Sequence, residues 1–97
     1  MTGMEQALAD LIDIGHRTGS REEQLKAAEA CVRRYCEELE AAAGREAAGR
    51  SLVARSLFEF RERIGRMLGR EELADPVRNV LDHAYRLLKL AGAHEFG

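Results

Sequence analysis

The chain has 97 residues, of which 33% are charged, and its net charge is only −2. That length builds a single domain, 1–97, that hides roughly 60–65% of the surface its unfolded chain exposes. The near balance of charge excludes a polyanion mimic and a chain that is basic throughout. Glu, Ala, Leu and Arg dominate, with one Pro and no Trp, a composition that favours helices over strands.

No apolar run approaches the ~20 residues a bilayer span needs, so no membrane partner is expected. The opening Met1-Thr2-Gly3-Met4-Glu5 has neither the basic nor the apolar region of a signal peptide. Cys31 and Cys36 are five positions apart. On one helix they diverge by about 140°, too far for a mutual disulfide. A reducing cytoplasm is the expected location.

The first predicted helix runs from Met4 to His16, with Met4, Ala7, Leu8, Leu11 and Ile12 on one face. The second opens at Ser20-Arg21-Glu22-Glu23. That pattern predicts a capping box, in which Ser20 accepts from the first-turn amides and Glu23 reaches back to the Ser20 amide. Leu25, Ala28, Val32, Tyr35, Leu39 and Ala42 then form a heptad seam, widened by Cys36 and Ala43 and free to serve a partner. The helix is expected to end at Gly44.

Residues 44–50 admit two readings. Their glycines favour a connection, whereas Ala47, Ala48 and Glu46 would let a helix continue. The connection is the favoured reading. A third helix is then expected over Leu52–Leu68, capped by Ser51 and stopped by a left-handed Gly69. Val53, Leu57, Phe60, Ile64, Met67 and Leu68 form its apolar face. Arg55–Glu59, Glu59–Arg63 and Glu62–Arg66 are spaced as i,i+4 pairs. Asp75 and Pro76 open a fourth helix as cap and first residue. Its core stripe is Val77, Val80, Leu81, Ala84, Leu88 and Ala91, Gly92 ends it, and 93–97 form a tail. The expected fold is therefore all-α: a small antiparallel bundle of about four helices, with a possible dimer.

Charge is unevenly distributed. Residues 1–44 hold five basic and nine acidic groups, 45–70 hold seven and three, and 71–97 hold three and five. Arg45, Arg50, Arg55, Arg61, Arg63, Arg66 and Arg70 thus form a basic patch. One reading is a surface for nucleic acid or another polyanion. The other is a solvated helix face neutralised by its i,i+4 pairs, and this is the favoured one. His16, His83, His94, Cys31 and Cys36 lack zinc-ligand spacing, so no metal and no cofactor are expected. No nucleophile motif or phosphate loop is present, and no catalytic residues or enzyme activity are expected.

The main functional pointer is apolar surface beyond the core stripes. His83, Leu87, Leu90 and His94 line a second stripe on the fourth helix, roughly 80–100° from the first. Phe58 and Gly65 lie off the core face of the third. Phe58, Gly65, His83, Leu87 and Leu90 are the candidate partner interface. The expectation is a cytoplasmic protein–protein interaction module, such as an adaptor, chaperone or regulatory subunit. Its partner would be a second copy in a homodimer or a heterologous helical protein. The alternative is a nucleic-acid-associated regulator that uses the arginines of 45–70.

Overall fold

The structure is a computed structural model that describes residues 3–17, 19–44, 46–70 and 72–96, with 91–96 described by backbone alone. Four helices form: α1 (Met4–His16), α2 (Arg21–Ala43), α3 (Ala47–Arg70) and α4 (Asp75–Phe96). Among the described residues there is no strand. The expected all-α class holds, and α1 has the expected bounds.

Local chemistry explains the ends. The Glu23 amide donates to Ser20 Oγ at 3.1 Å, which caps α2. The return contact differs from the predicted box. The Glu23 carboxylate accepts from the Ser20 hydroxyl at 3.2 Å rather than from the Ser20 amide. Gln24 Nε2 donates to the Arg17 carbonyl at 3.1 Å and fixes the short turn from α1. At the far end of α2, Gly44 adopts φ +81 and gives its amide to the Glu40 carbonyl. A side chain at that φ would be strained, so glycine ends the helix here.

Three expected boundaries are corrected. α3 begins at Ala47, five residues before the expected start, so only a short junction separates it from α2. Gly49, read as part of a connection, is a helical contact residue. A Cβ there would collide with the Ala43 carbonyl oxygen, so the close approach of the two helices requires glycine. Gly69 is helical, not left-handed, and α3 continues to Arg70. The Arg78 guanidinium donates to the Leu68 carbonyl at 3.1 Å and satisfies an acceptor that the helix end leaves open. Gly92 does not end α4, whose backbone stays helical to Phe96. In addition, the Ala74 carbonyl accepts the first α4 bond, from Arg78, so Asp75 is the first helical residue and Pro76 the second.

The helices share one core. Ala7, Leu8, Leu11 and Ile14 of α1 meet Ala28, Cys31, Val32 and Tyr35 of α2. Phe60 and Ile64 of α3 and Val77, Val80, Leu81, Ala84 and Leu88 of α4 complete it. Tyr35 and Phe60 pack edge to face, with centroids 4.9 Å apart. α4 touches all three other helices, whereas α1 and α3 scarcely meet. Gly15 lets α1 approach α4, since a Cβ there would lie 2.6 Å from Val77 Cα. The extents are 41 × 23 × 21 Å. α3, at about 36 Å, nearly spans the long axis, while α1 at about 20 Å covers only part of it.

Candidate functional site

Burial along α2 and α3 changes sharply with position. Ala28, Val32, Tyr35, Phe60 and Ile64 are buried. Towards the junction the same seam loosens. Leu39, Val53 and Leu57 are half-buried, and Ala42 and Arg50 are exposed although they continue the seam. Among the described residues, no hydrophobic side chain between Cys36 and Glu59 is fully buried. The contacts of α1 explain this. The Cys31 thiol donates to the Ala7 carbonyl, Arg34 pairs with Asp10 at 3.5 Å, and Arg63 pairs with Glu5 at 2.8 Å. All of these lie away from the junction. The heptad seam of α2, read as free for a partner, is therefore engaged inside the chain over Ala28–Tyr35 and looser at both ends, where Leu25 and Leu39 are half-buried.

The candidate interface residues divide. Gly65 faces Tyr85, whose Cε2 would lie 3.1 Å from an added Cβ, so it belongs to the α3–α4 contact. His83 Nε2 lies 2.9 Å from Glu29 Oε1 and links α4 to α2. Both are taken up within the chain, because the helices that flank them were invisible to a reading of each helix alone. Leu87 is half-buried and outside the core cluster. Phe58 and Leu90 are 45% and 66% exposed. His94, the last member of the second stripe, lies outside the residues whose side chains are described.

Phe58 is held in place. The Arg61 guanidinium carbon sits 4.7 Å from its ring centroid, a cation–π contact. Among the described residues, Arg61 Nε is buried with no hydrogen-bond partner, and its terminal nitrogen lies 3.5 Å from Glu62. Phe58, Met4, Glu59, Glu62 and Arg66 line a shallow notch of ≈ 400 Å³. Leu52, one residue before the seam position Val53, is 56% exposed. Met4 was read as part of the apolar face of α1 and Leu52 was not singled out from the sequence. That Met4 borders Phe58 depends on how α1 meets α3, which no local pattern announces. Leu52 was legible as an apolar residue off the core stripe.

The basic patch also differs from expectation. Arg63 pairs with Glu5 across helices rather than with Glu59. Among the described residues, the Arg55–Glu59 and Glu62–Arg66 pairs do not form, and Arg50, Arg55, Arg66 and Arg70 have no carboxylate within ion-pair distance. Arg63, Arg66, Met67 and Arg70 border an open depression of ≈ 300 Å³. Arg45 lies outside the described residues.

The thiols sit in a different setting. Burial raises the Cys31 thiol above its ordinary value, reinforced by Asp10 and opposed by Arg34. Burial raises Cys36 as well, with Glu40 adding to it. Both are free cysteines. Among the described residues, no three His, Cys, Asp or Glu side chains converge on a metal-sized point. Among the same residues, no helix is long and apolar enough to cross a membrane. No protein-family model, curated protein or solved structure matches the chain.

Proposed function

We propose that this chain is a small protein–protein interaction module, an adaptor, chaperone or regulatory subunit of the cytoplasm that acts through helix faces. The observation that carries this reading is the exposure of Leu52, Phe58 and Leu90 in so small a domain. Large apolar side chains such as these are the kind of group that anchors a partner interface once it is desolvated. The partner is a second copy in a homodimer or another helical protein. We read the helices as antiparallel neighbours. The Leu68–Arg78 and Gly65–Tyr85 contacts support this for α3 and α4, because residue number rises along one helix as it falls along the other.

The test is light scattering on the chain as it leaves a sizing column. The expected mass exceeds the 10.8 kDa of one chain. It should fall to that value in Phe58→Asp or Leu90→Asp, with helical circular dichroism retained. A mass above one chain that neither substitution lowers would sink the reading.

The unpaired arginines of α3 favour a second reading, a nucleic-acid-associated regulator. Binding to a 20-base-pair duplex that weakens steeply between low and moderate salt would support it. An apolar interface would hardly respond to the same change.

A further inference from the structure

We propose that Arg63, Arg66 and Arg70 of α3 form a binding site for a phosphate dianion, either free phosphate or a phosphomonoester. The site lies beyond the interaction-module reading and does not depend on it.

Helical spacing brings the three together. Residues 63, 66 and 70 are three and four apart, so their side chains leave α3 within about 60° of one another. With Met67 they border an open depression of ≈ 300 Å³. That volume holds a phosphate and several waters, at about 30 Å³ per water. Among the described residues, no carboxylate borders it. Glu5 fixes where Arg63 stands, because the two terminal nitrogens of Arg63 donate to the Glu5 carboxylate at 2.8 and 3.4 Å.

The positive charge there is largely unanswered. Glu59 and Glu62 precede Arg63 and Arg66 by four residues, the spacing at which a helix forms ion pairs. Neither pair forms. Arg63 turns to Glu5, and Glu62 lies 3.5 Å from Arg61. Glu59 and Glu62 border the neighbouring Phe58 notch, which Arg66 also touches. Among the described residues, Arg66 and Arg70 have no carboxylate within ion-pair distance. The helix dipole accounts for a cation in the last turn, which holds Arg70, but it has faded by Arg66 and Arg63. Three guanidiniums against the one Glu5 carboxylate leave two positive charges at one spot. A phosphomonoester carries about −1.5 to −2 near neutral pH, and its oxygens match the fork of a guanidinium. Carboxylates on an acidic helix face bring single charges roughly 5–6 Å apart. A phosphate places both charges on one centre.

The probe is inorganic phosphate, exchanged for chloride at constant ionic strength and about pH 7.5, where it is mostly dianionic. Backbone amide NMR shifts are the readout. In the parent, amides of 63–70 should shift and saturate. Arg66→Gln with Arg70→Gln should weaken binding about tenfold, about threefold for each guanidinium removed. Arg50→Gln with Arg55→Gln removes the same charge from arginines of the same helix that are also exposed and unpaired but lie outside the depression. It should leave binding within about twofold of the parent. Unchanged helical circular dichroism in both variants separates lost binding from lost folding.

Adenosine monophosphate distinguishes the two sources of phosphate. If it shifts the same amides at least as readily as phosphate, the ligand is a phosphomonoester; if it is excluded, the ligand is free phosphate. No saturable shift with phosphate in the parent overturns the inference. An equal loss in the Arg50 and Arg55 variant overturns it too, because the attraction then belongs to the whole helix. Binding of the DNA duplex without binding of phosphate would overturn the site and favour the nucleic-acid reading. None of these outcomes touches the module reading, which is judged by mass.

Discussion

One apolar seam runs along α2 and α3 through two different surroundings. Midway along the bundle its side chains are sealed, with Phe60 and Ile64 at 0% exposure. Towards the junction, Leu39, Val53 and Leu57 are only half-buried, and Ala42 and Arg50 face solvent. The spacing of apolar residues is the same in both regions. What differs is the number of neighbours. α1 has 13 residues where α2, α3 and α4 have 23, 24 and 22, so it covers one region and stops short of the other. Periodicity sets which face of a helix turns inwards, and the lengths of the other helices set how deeply that face is buried.

Truncating side chains in the two regions should break this comparison most strongly. Phe60→Ala should cost about 3–5 kcal/mol, a large part of a small domain's total stability. Leu57→Ala, one turn closer to the junction, should cost about 1 kcal/mol, because less apolar area is withdrawn from water. Urea unfolding followed by helical circular dichroism reads both. Equal losses would mean that the junction is packed as tightly as the region beside α1. Hydrogen exchange gives the same contrast without mutation. Amides of 50–57 should exchange faster than those of 60–67.

A pair of glycines sharpens the comparison from the side of close approach. Gly15 lies against the Val77 backbone, which cannot yield as a side chain can. Gly15→Ala should therefore destabilise by about 1–3 kcal/mol despite the better helix propensity of alanine. Gly69 has nothing within 4 Å of an added Cβ and is helical. Gly69→Ala should stabilise by about 0.5–1 kcal/mol. Thermal melts of the two variants should move in opposite directions. If Gly69→Ala melted lower than the parent, the reading of that turn as ordinary helix would be wrong.

These glycines also mark how far sequence reading reached. Periodicity and caps were enough for the bounds of α1, for the start of α2 at Ser20 and for Val77, Val80, Leu81, Ala84 and Leu88 of α4, because those signals lie within a turn or two of the residues they govern. The α1 face missed the buried Ile14, and Ala91 lies outside the residues whose side chains are described. Gly49 was read as part of a connection and Gly65 as partner surface because nothing local announces Ala43 or Tyr85, the neighbours they pack against. Gly69 was read as a stop because a helical glycine and one that ends a helix look alike in sequence. The same holds at the candidate interface. Phe58 and Leu90 were legible as apolar residues off their core stripes, and they are exposed. His83 was placed with them because nothing local announces Glu29, 54 positions away in sequence. The arginines of α3 were assigned to neighbours four residues apart, whereas Arg63 reaches across to α1.

The sealed region should also be the more sensitive to alkali. Cys31, Cys36 and Tyr35 all have values raised first by burial. A raised value means that the folded state holds the proton more tightly than the unfolded chain does. Their contribution is therefore complete below the ordinary thiol range, about 8.5, and is lost as pH rises through the higher folded-state values. Urea midpoints should decline between pH 8 and pH 10.5, and Cys31→Ala should decline less steeply than the parent. A parallel decline would show that the thiol is not the group being titrated. The same burial predicts slow alkylation of Cys31 in the folded chain at neutral pH and rapid alkylation once urea opens it, because the thiolate is the reactive form.

The smallest expected effect lies where α1 begins. Glu5 and Arg63 form the one ion pair between α1 and α3 among the described residues, at 2.8 Å, with side chains 71% and 41% exposed. An exposed pair of this kind contributes about 0.2–1 kcal/mol and weakens with salt. Its position gives it more interest than its size. It fixes the start of α1 beside the turn that carries Phe58, at the border between the sealed and loosened seams. A double-mutant cycle with Glu5→Gln and Arg63→Gln should return a coupling in that range at low salt and close to zero at high salt. Exchange at the amides of 58–61 should quicken in either single variant while that of 77–84 stays unchanged. If exchange quickens equally in α4, the pair supports the whole core, and the border between the two regions is set by packing of α1 rather than by its first turn.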